Sequence, residues 1–388
     1  MLLLTVIYIA FISLGLPDSM FGTAWPAIYG EWRLPFSFGS FVVSIIYCGT
    51  AVSSLMSTHV IKQFGTGRVT AFSTALTAVA MAGFAVSGNF ACICLCAVPL
   101  GLGAGAIDTA LNNYVASNYS ARHVNYLHCF YGIGIVASPY ILSHVIGGDG
   151  GWRNGYFAVS LIQAVIAIIL IGTLFLWKND NNTDHDTETE VIPMRTLFKM
   201  PKVRLICYLF VTSCAIEASI GGFGGTFLVE QKGMPTNVAA STIIFYYAGI
   251  AIARFVAGLL SNKIGTWKII VGGQILLGVG LLTLLFSANN LILSASLFLI
   301  GADNGPMFPN FIFITPEVFG HAKSAAVIGA EMSVASLTSM SVPIICGFSA
   351  QYFGISIFPY FIMAFFVAMA FLSYRATSML FQENNTQH

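Results

Sequence analysis

One apolar run of the chain contains an aspartate and two asparagines, in the stretch GLGAGAIDTALNNYV from Gly101 to Val115. Asp108 and Asn112 are four residues apart, so on a helix they share one face, whereas Asn113 points about 100° away. A carboxylate beside an amide offers hydrogen-bond acceptors and donors together, which suits the hydroxyl groups of a sugar. All three are candidate substrate-binding residues; the alternative is that the amides only join neighbouring helices.

Four more carboxylates lie in apolar runs: Asp18, Glu217, Asp303 and Glu331. Arg254 is the one basic residue clearly inside such a run, so most of these acids lack a basic partner. An unpaired carboxyl group in an apolar medium can exchange a proton near neutral pH. We therefore expect proton coupling at Asp18, Asp108 and Glu217, and substrate contacts at Asp108, Glu217, Asp303 and Glu331. The alternative for Glu331 is a structural bond to Arg254 or to a polar neighbour.

The surroundings of Asp18 indicate a loosened helix, because Pro17 precedes it and glycines lie nearby. The alternative for Asp18 is an acid that caps a break in the helix. Trp25 lies seven residues on and nearly on the same face, as a platform for a sugar ring or as a residue of the interfacial aromatic belt. His128 is either a proton relay or a satisfied structural histidine.

The composition places most of the chain in a lipid bilayer. Of 388 residues, 57% are hydrophobic and only 8% charged, and the mean hydropathy is +0.83; a soluble domain carries about 25% charged residues. The sequence contains no P-loop, nucleotide fingerprint, metal-ligand cluster or nucleophile–base pair. We therefore expect no enzymatic activity, cofactor, metal or nucleic-acid partner.

Twelve stretches are long and apolar enough to span a bilayer, and a polar segment divides them six and six. This pattern predicts an all-α membrane protein with a six-helix bundle in residues 1–177, a cytoplasmic linker in 178–202 and a second bundle in 203–388. The predicted spans cover about 2–27, 37–60, 68–87, 89–118, 124–147, 153–177, 203–229, 236–261, 267–286, 289–315, 322–348 and 355–377.

The distribution of basic residues predicts the orientation. With both termini in the cytoplasm, the connecting segments on the outer side hold only Arg33, Arg153 and Lys232, and the other loop lysines and arginines lie inside. We therefore expect a multi-pass protein of the plasma, or cell inner, membrane with both termini cytoplasmic.

The two halves of the sequence resemble each other at an offset of 200 residues. Two parallel six-helix repeats are typical of secondary transporters. The matching pairs fall at equivalent points of the second and eighth spans, of the loops that follow them, and of the fourth and tenth spans: Tyr47 and Tyr247, Gly49 and Gly249, Ala51 and Ala251, Gly65 and Gly265, Thr66 and Thr266, Gly101 and Gly301, and Gly105 and Gly305.

The chain resembles the major facilitator superfamily over essentially its whole length. The family's loop signature after the eighth span is matched by GLLSNKIGTWK, with its residues in register at Gly258, Asn262, Lys263, Gly265 and Lys268. The first copy, STHVIKQFGTGR, keeps Lys62, Gly65 and Arg68 but has Ile61 in place of the acid. The resemblance implies that this loop acts as a conformational gate.

Within that superfamily the chain is similar to the sugar permease group that contains the fucose:proton symporters. The similarity lies in GLPDSMFGTAWP, GLGAGAIDTALNNYVA, LHCFYGIGIVASP and CAIEASIGGF. It implies that Asp18 and Asp108 form the acidic pair for proton coupling and sugar binding, and that Asn112 is the family asparagine one turn on. The implied protein is a monomeric symporter of a monosaccharide or similar small polar solute, with sodium as the alternative coupling ion.

Two other functions are open at this stage. A proton-driven exporter of amphipathic compounds would use the same acids, and the 32 phenylalanines suit it as well as they suit lipid contact. A nutrient sensor that no longer transports is disfavoured by the short central segment, because such proteins usually gain a large cytoplasmic domain.

Overall fold

The computed structural model describes residues 2–377 and 379, apart from residues 120, 149 and 178–191. Most of the predicted linker therefore lies outside the described residues. The first half of the described chain is a series of α-helices joined by short turns: α1 (Leu2–Asp18), α2 (Met20–Trp32), α3 (Gly39–Phe64), α4 (Thr66–Val86), α5 (Phe90–Asn118), α6 (Ala121–Val145) and α7 (Gly151–Gly172).

The second half begins with the short helix α8, which packs through Leu197 against the start of the next helix. The helices of this half are α8 (Met194–Leu197), α9 (Pro201–Glu230), α10 (Thr236–Ile264), α11 (Thr266–Phe286), α12 (Asn290–Phe319), α13 (His321–Phe353) and α14 (Phe358–Ala376). All twelve predicted spans are helical in the structure, and their ends differ from the predictions by a few residues.

Eleven helical segments of the described residues are long and apolar enough to cross a membrane, the first of them formed by α1 and α2 together. The remaining predicted span is α6, which has 25 residues. The helices form two six-helix bundles, as predicted. Across the boundary between them, α2 contacts α9, α3 contacts α13 and α6 contacts α10.

The first span is interrupted, as the proline and glycines predict. α1 ends at Asp18 and α2 begins at Met20, so only Ser19 separates the two helices. Pro17 lacks a backbone N–H and cannot complete the helical hydrogen-bond pattern at this point. The break places Asp18 at a helix end in the middle of the span, where its side chain is exposed.

Glycine contacts explain the repeat at an offset of 200 residues. In the first half, Gly101 of α5 lies against the backbone of Ile46 in α3. In the second half, Gly301 of α12 lies in the same way against the backbone of Tyr246 in α10. Small residues let membrane helices approach closely where no hydrophobic effect drives them together. The matched glycines thus mark the same helix contact in each bundle.

We predict that Gly301→Ala destabilises the protein, because the new Cβ would collide with the carbonyl oxygen of Tyr246. Overpacking of this kind costs about 1–3 kcal/mol. Gly272→Ala is the matched control, since a Cβ on that α11 glycine meets nothing within 4 Å. Thermal unfolding of the purified variants in detergent is the measurement. Equal melting temperatures for both variants would contradict the packing argument.

Candidate functional site

A group of charged and aromatic side chains lies where the two bundles meet, and we call it the central cluster: Asp18 of α1, Asp108 of α5, Tyr131 of α6, Glu217 of α9 and Arg254 of α10. The Tyr131 hydroxyl donates a hydrogen bond to Asp18 Oδ2. The guanidinium carbon of Arg254 lies 5.4 Å from the centroid of the Tyr131 ring, within the range of a cation–π contact. Predicted proton-coupling acids from three helices thus come together.

One guanidinium group in the central cluster interacts electrostatically with three carboxyl groups. Arg254 interacts electrostatically with Asp18, Asp108 and Glu217, and Asp18 also interacts with the other two acids. The Arg254 Nε–H donates a hydrogen bond of 2.8 Å to the backbone carbonyl of Gly305 in α12. Three carboxylates and one cation leave a formal charge of −2 when all are ionised. Such a net charge at membrane depth is costly and usually marks a functional site.

Asp108 and Asn112 lie on one face of α5, as their spacing predicts. The Asn112 Nδ2 group donates to Asp108 Oδ1 at 2.8 Å and to the Asp108 backbone carbonyl at 3.0 Å. Both side chains are half-buried, whereas Asn113 is exposed. The amide therefore holds the carboxylate in place and leaves its second oxygen to other partners.

Two tyrosines of the repeat also face the cluster. Tyr47 of α3 and Tyr247 of α10 interact electrostatically with both Asp18 and Glu217. The two positions are 200 residues apart in the sequence. Each bundle therefore contributes one phenol hydroxyl to the site, at equivalent positions of the repeat. Each hydroxyl can donate and accept hydrogen bonds.

Arg254, Tyr131 and the two repeat tyrosines lie at the site, but the sequence does not predict them as site residues. The sequence suggests Arg254 only as a partner for Glu331. The available signal was the cost of a single arginine inside an apolar run, which is a reason to expect a functional role. No pattern in the sequence marks Tyr131 as a site residue, because its contacts depend on which helices pack around it.

Trp25 and His128 occupy different surroundings. Trp25 is fully buried, and its Nε1–H donates a hydrogen bond of 2.7 Å to the Phe36 carbonyl. Its ring is therefore not exposed as a platform in this structure. His128 is half-buried, meets Phe11 edge to face at 5.9 Å and interacts electrostatically with Arg254. It lies near the cluster, and its predicted role as a relay stays a prediction.

Asp303 and Glu331 lie apart from the cluster. Asp303 is fully buried against Gly273 of α11. Glu331 is also fully buried, and its Oε1 accepts a hydrogen bond of 2.7 Å from Thr315. This bond to a polar neighbour is one of the two structural alternatives for Glu331. The substrate contacts expected of these two acids stay a prediction.

The predicted gate loops are tight turns between helices. Gly65 joins α3 to α4 with φ of 81°, and Gly265 joins α10 to α11 with φ of 82°. This left-handed region is strained for residues with a Cβ, which explains a glycine at both positions. Of the other predicted gate residues, Gly258 lies within α10, and the basic side chains are exposed: Lys263, Lys268 and Arg68. The side chain of Asn262 lies outside the described part of the structure.

The site is closed at one end by contacts between α2 and α9. The backbone of α2 at Gly22 lies against the carbonyl of Gly221 in α9, and a Cβ on Gly225 would come within 3.0 Å of the Gly22 carbonyl. Further along the same pair, the Tyr29 hydroxyl donates a hydrogen bond of 2.6 Å to Glu230 Oε1. We call this end of the molecule the closed end.

A second pair of helices completes the closed end. The Ser44 hydroxyl of α3 donates a hydrogen bond of 2.6 Å to the Met340 carbonyl of α13. The rings of Phe41 and Phe348 meet edge to face with their centroids 5.6 Å apart. Towards the opposite end, the exposed Asn113 lies beyond Asp108 along α5.

Two pseudo-symmetric six-helix bundles around a polar cluster define the class of secondary transporters. The chain belongs to the Major Facilitator Superfamily, whose family model matches residues 7–251 and 228–387. It is therefore an integral, multi-pass membrane protein of a family that moves small molecules across membranes, and not an enzyme.

Comparisons with individual proteins agree with this assignment. The chain is 20% identical over 313 residues to the glucose/mannose transporter GlcP of Bacillus subtilis, covering 78% of this chain and 77% of GlcP. It is 27% identical over 186 residues to the multidrug resistance protein MdtG of Klebsiella pneumoniae, covering 46% of this chain and 42% of MdtG. A crystal structure of a mutant of the nucleoside transporter NupG superposes with a TM-score of 0.79 at 12% identity, covering 96% of this chain and 98% of that chain. This last likeness concerns the fold alone.

We predict that Gly22→Ala prevents the closed end from forming, because the added Cβ would overlap the Gly221 carbonyl. Gly222→Ala is the control on the facing helix, since its Cβ would meet nothing within 4 Å. In a background without native cysteines, Tyr29→Cys and Glu230→Cys give a pair for a short crosslinker. Crosslinking should fall strongly with Gly22→Ala and stay unchanged with Gly222→Ala. Undiminished crosslinking in Gly22→Ala would show that this contact does not control closure.

Proposed function

We propose that this protein is a proton-coupled symporter of a monosaccharide or similar small polar solute, working by alternating access. The observation that carries the proposal is the central cluster, in which three acids share one arginine at the boundary between the bundles. The similarity to a glucose/mannose transporter supports a sugar as the substrate class.

The side chains around Asp108 suit the recognition of a polyol. Asp108 and Asn112 supply a carboxylate and an amide, and Tyr47 and Tyr247 supply phenol hydroxyls from the opposing bundles. A small number of well-placed polar groups fixes the orientation of a ligand in a transporter cavity. A sugar would therefore contact both bundles, and Glu217 of α9 is the further candidate contact.

The charges of the cluster suit proton coupling. With all three acids ionised, the site carries an uncompensated negative charge that is costly in a low-dielectric interior. A proton on Asp18 or Asp108 reduces this charge, so the site that holds both proton and substrate is enclosed at a lower cost than the site that holds substrate alone. Asp18 lies at the helix break and is exposed, so it can reach water when the site is open.

Alternating access requires that the closed end open and the opposite end close. If both termini are cytoplasmic, the contacts of α2 with α9 lie on the outer side of the cluster, and we infer that this arrangement is the inward-facing state. Import would then proceed by uptake of proton and sugar from outside, followed by release into the cell. The location in the plasma membrane stays a prediction.

Export of amphipathic compounds is the second candidate, and the similarity to a multidrug resistance protein favours it. The two functions differ in what competes for the site. A sugar carrier binds polyols through the hydroxyls and amides of the cluster, whereas an exporter binds apolar dyes. Displacement of a bound dye by other dyes but not by sugars would select the exporter.

We predict that Asp108→Asn abolishes the accumulation of substrate driven by a pH gradient, because an amide keeps the shape of the side chain but cannot carry the proton. Uptake should fall to the level of liposomes without protein. Glu317→Gln is the matched control, since this α12 acid is exposed and lies outside the cluster. Radiolabelled uptake into proteoliposomes at imposed pH gradients is the measurement. Full accumulation by Asp108→Asn would exclude this acid from coupling.

A further inference from the structure

Tyr131 touches a charged group from each bundle at once. Its hydroxyl donates a hydrogen bond to Asp18 of α1 in the first bundle. Its ring lies 5.4 Å from the guanidinium carbon of Arg254, which belongs to α10 in the second bundle. The α6 helix that carries Tyr131 also packs on α10, where Gly132 lies close to Ala251. The phenol thus connects a candidate proton site with the opposite half of the transporter.

Arg254 is fixed to its own bundle rather than to the first. Its Nε–H donates a 2.8 Å hydrogen bond to the Gly305 carbonyl of α12. The guanidinium group must therefore move with α10 and α12 when the bundles rotate against each other. Such a rotation would change the distance between this group and the Tyr131 ring.

We propose that Tyr131 is the positioning residue that transmits the protonation state of Asp18 to the second bundle through Arg254. The inference rests on the proposed proton coupling. In the protein without substrate, an ionised Asp18 accepts the Tyr131 hydrogen bond and attracts Arg254, which favours the arrangement with the closed end formed. A protonated Asp18 carries no charge to attract Arg254, so the two bundles separate there more readily.

Other titratable groups face Asp18 from neighbouring helices, but among the described residues only Tyr131 donates a hydrogen bond to it. Those that interact with it are Asp108 on α5, Glu217 on α9, Tyr47 on α3 and Tyr247 on α10. Asp108 is bonded to Asn112 of its own helix. Glu217 belongs to the same bundle as Arg254, so their interaction does not cross the boundary. His128 of α6 also interacts with Arg254 but carries no contact with Asp18 in the described structure.

The test measures conformation and needs no substrate. Spin labels at Gly88 and Ala288, introduced as unnatural amino acids, report on the closed end, because both positions are exposed and lie in equivalent loops of the two bundles. Distance distributions are recorded from pH 5 to 9 for the wild type, Asp18→Asn and Tyr131→Phe. Tyr140→Phe is the control, since this exposed tyrosine lies on the same helix outside the cluster.

We expect the wild type to close this end as the pH rises and Asp18→Asn to lose that dependence. Tyr131→Phe removes a donor to the ionised carboxylate, which favours protonated Asp18, so the midpoint should rise by about one pH unit. Tyr140→Phe should leave the midpoint unchanged. Arg254→Lys, which keeps the charge without the planar group, should shift the midpoint in the same direction.

The outcomes separate the two proposals. A wild-type midpoint that Asp18→Asn removes but Tyr131→Phe and Arg254→Lys leave in place would overturn the role of Tyr131 and keep proton coupling. The absence of any pH dependence in the wild type would overturn both. Size-exclusion profiles of each variant confirm that a shifted midpoint does not come from unfolding.

Discussion

The structure depends on an imbalance of charge at the boundary between two bundles. Asp18, Asp108 and Glu217 share the single guanidinium of Arg254 in a part of the chain otherwise built from apolar helices. A buried ion pair is stable only when its geometry and hydrogen bonds compensate for lost hydration. Three acids and one cation cannot all be compensated in this way. The site is therefore suited to change its charge, and a transport cycle can use that change.

The packing of the surrounding helices indicates how a change in the charge of the site can change the conformation of the protein. Within each bundle, glycines such as Gly101 and Gly301 let two helices pack with their backbones in contact. Between the bundles, Gly22 of α2 and Gly225 of α9 permit an equally close approach, and the bond from Tyr29 to Glu230 adds to this contact. In the proposed transport cycle the first kind of contact stays intact, whereas the second breaks and re-forms.

The sequence predicted the spans, the two bundles and the break beside Asp18, because long apolar runs, repeated glycines and a mid-span proline have direct structural meanings. It did not predict which face of each helix meets the site. In helices that are apolar on all sides, periodicity does not separate the lipid-facing face from the buried one. Asp303 therefore looked like a cavity residue but packs on α11. The place of Arg254 beside Tyr131 depends on contacts between bundles, which no local pattern encodes.

The most direct test of proton-coupled sugar transport is charge movement in proteoliposomes on a solid-supported membrane. The wild-type protein is challenged with hexoses, pentoses and deoxy-sugars at acidic and alkaline pH, beside a control carrier of known activity. The account predicts a current for a subset of these sugars that depends on pH. No current for any sugar, with the control carrier active, would contradict it and direct attention to sodium-coupled or electroneutral transport or to the exporter.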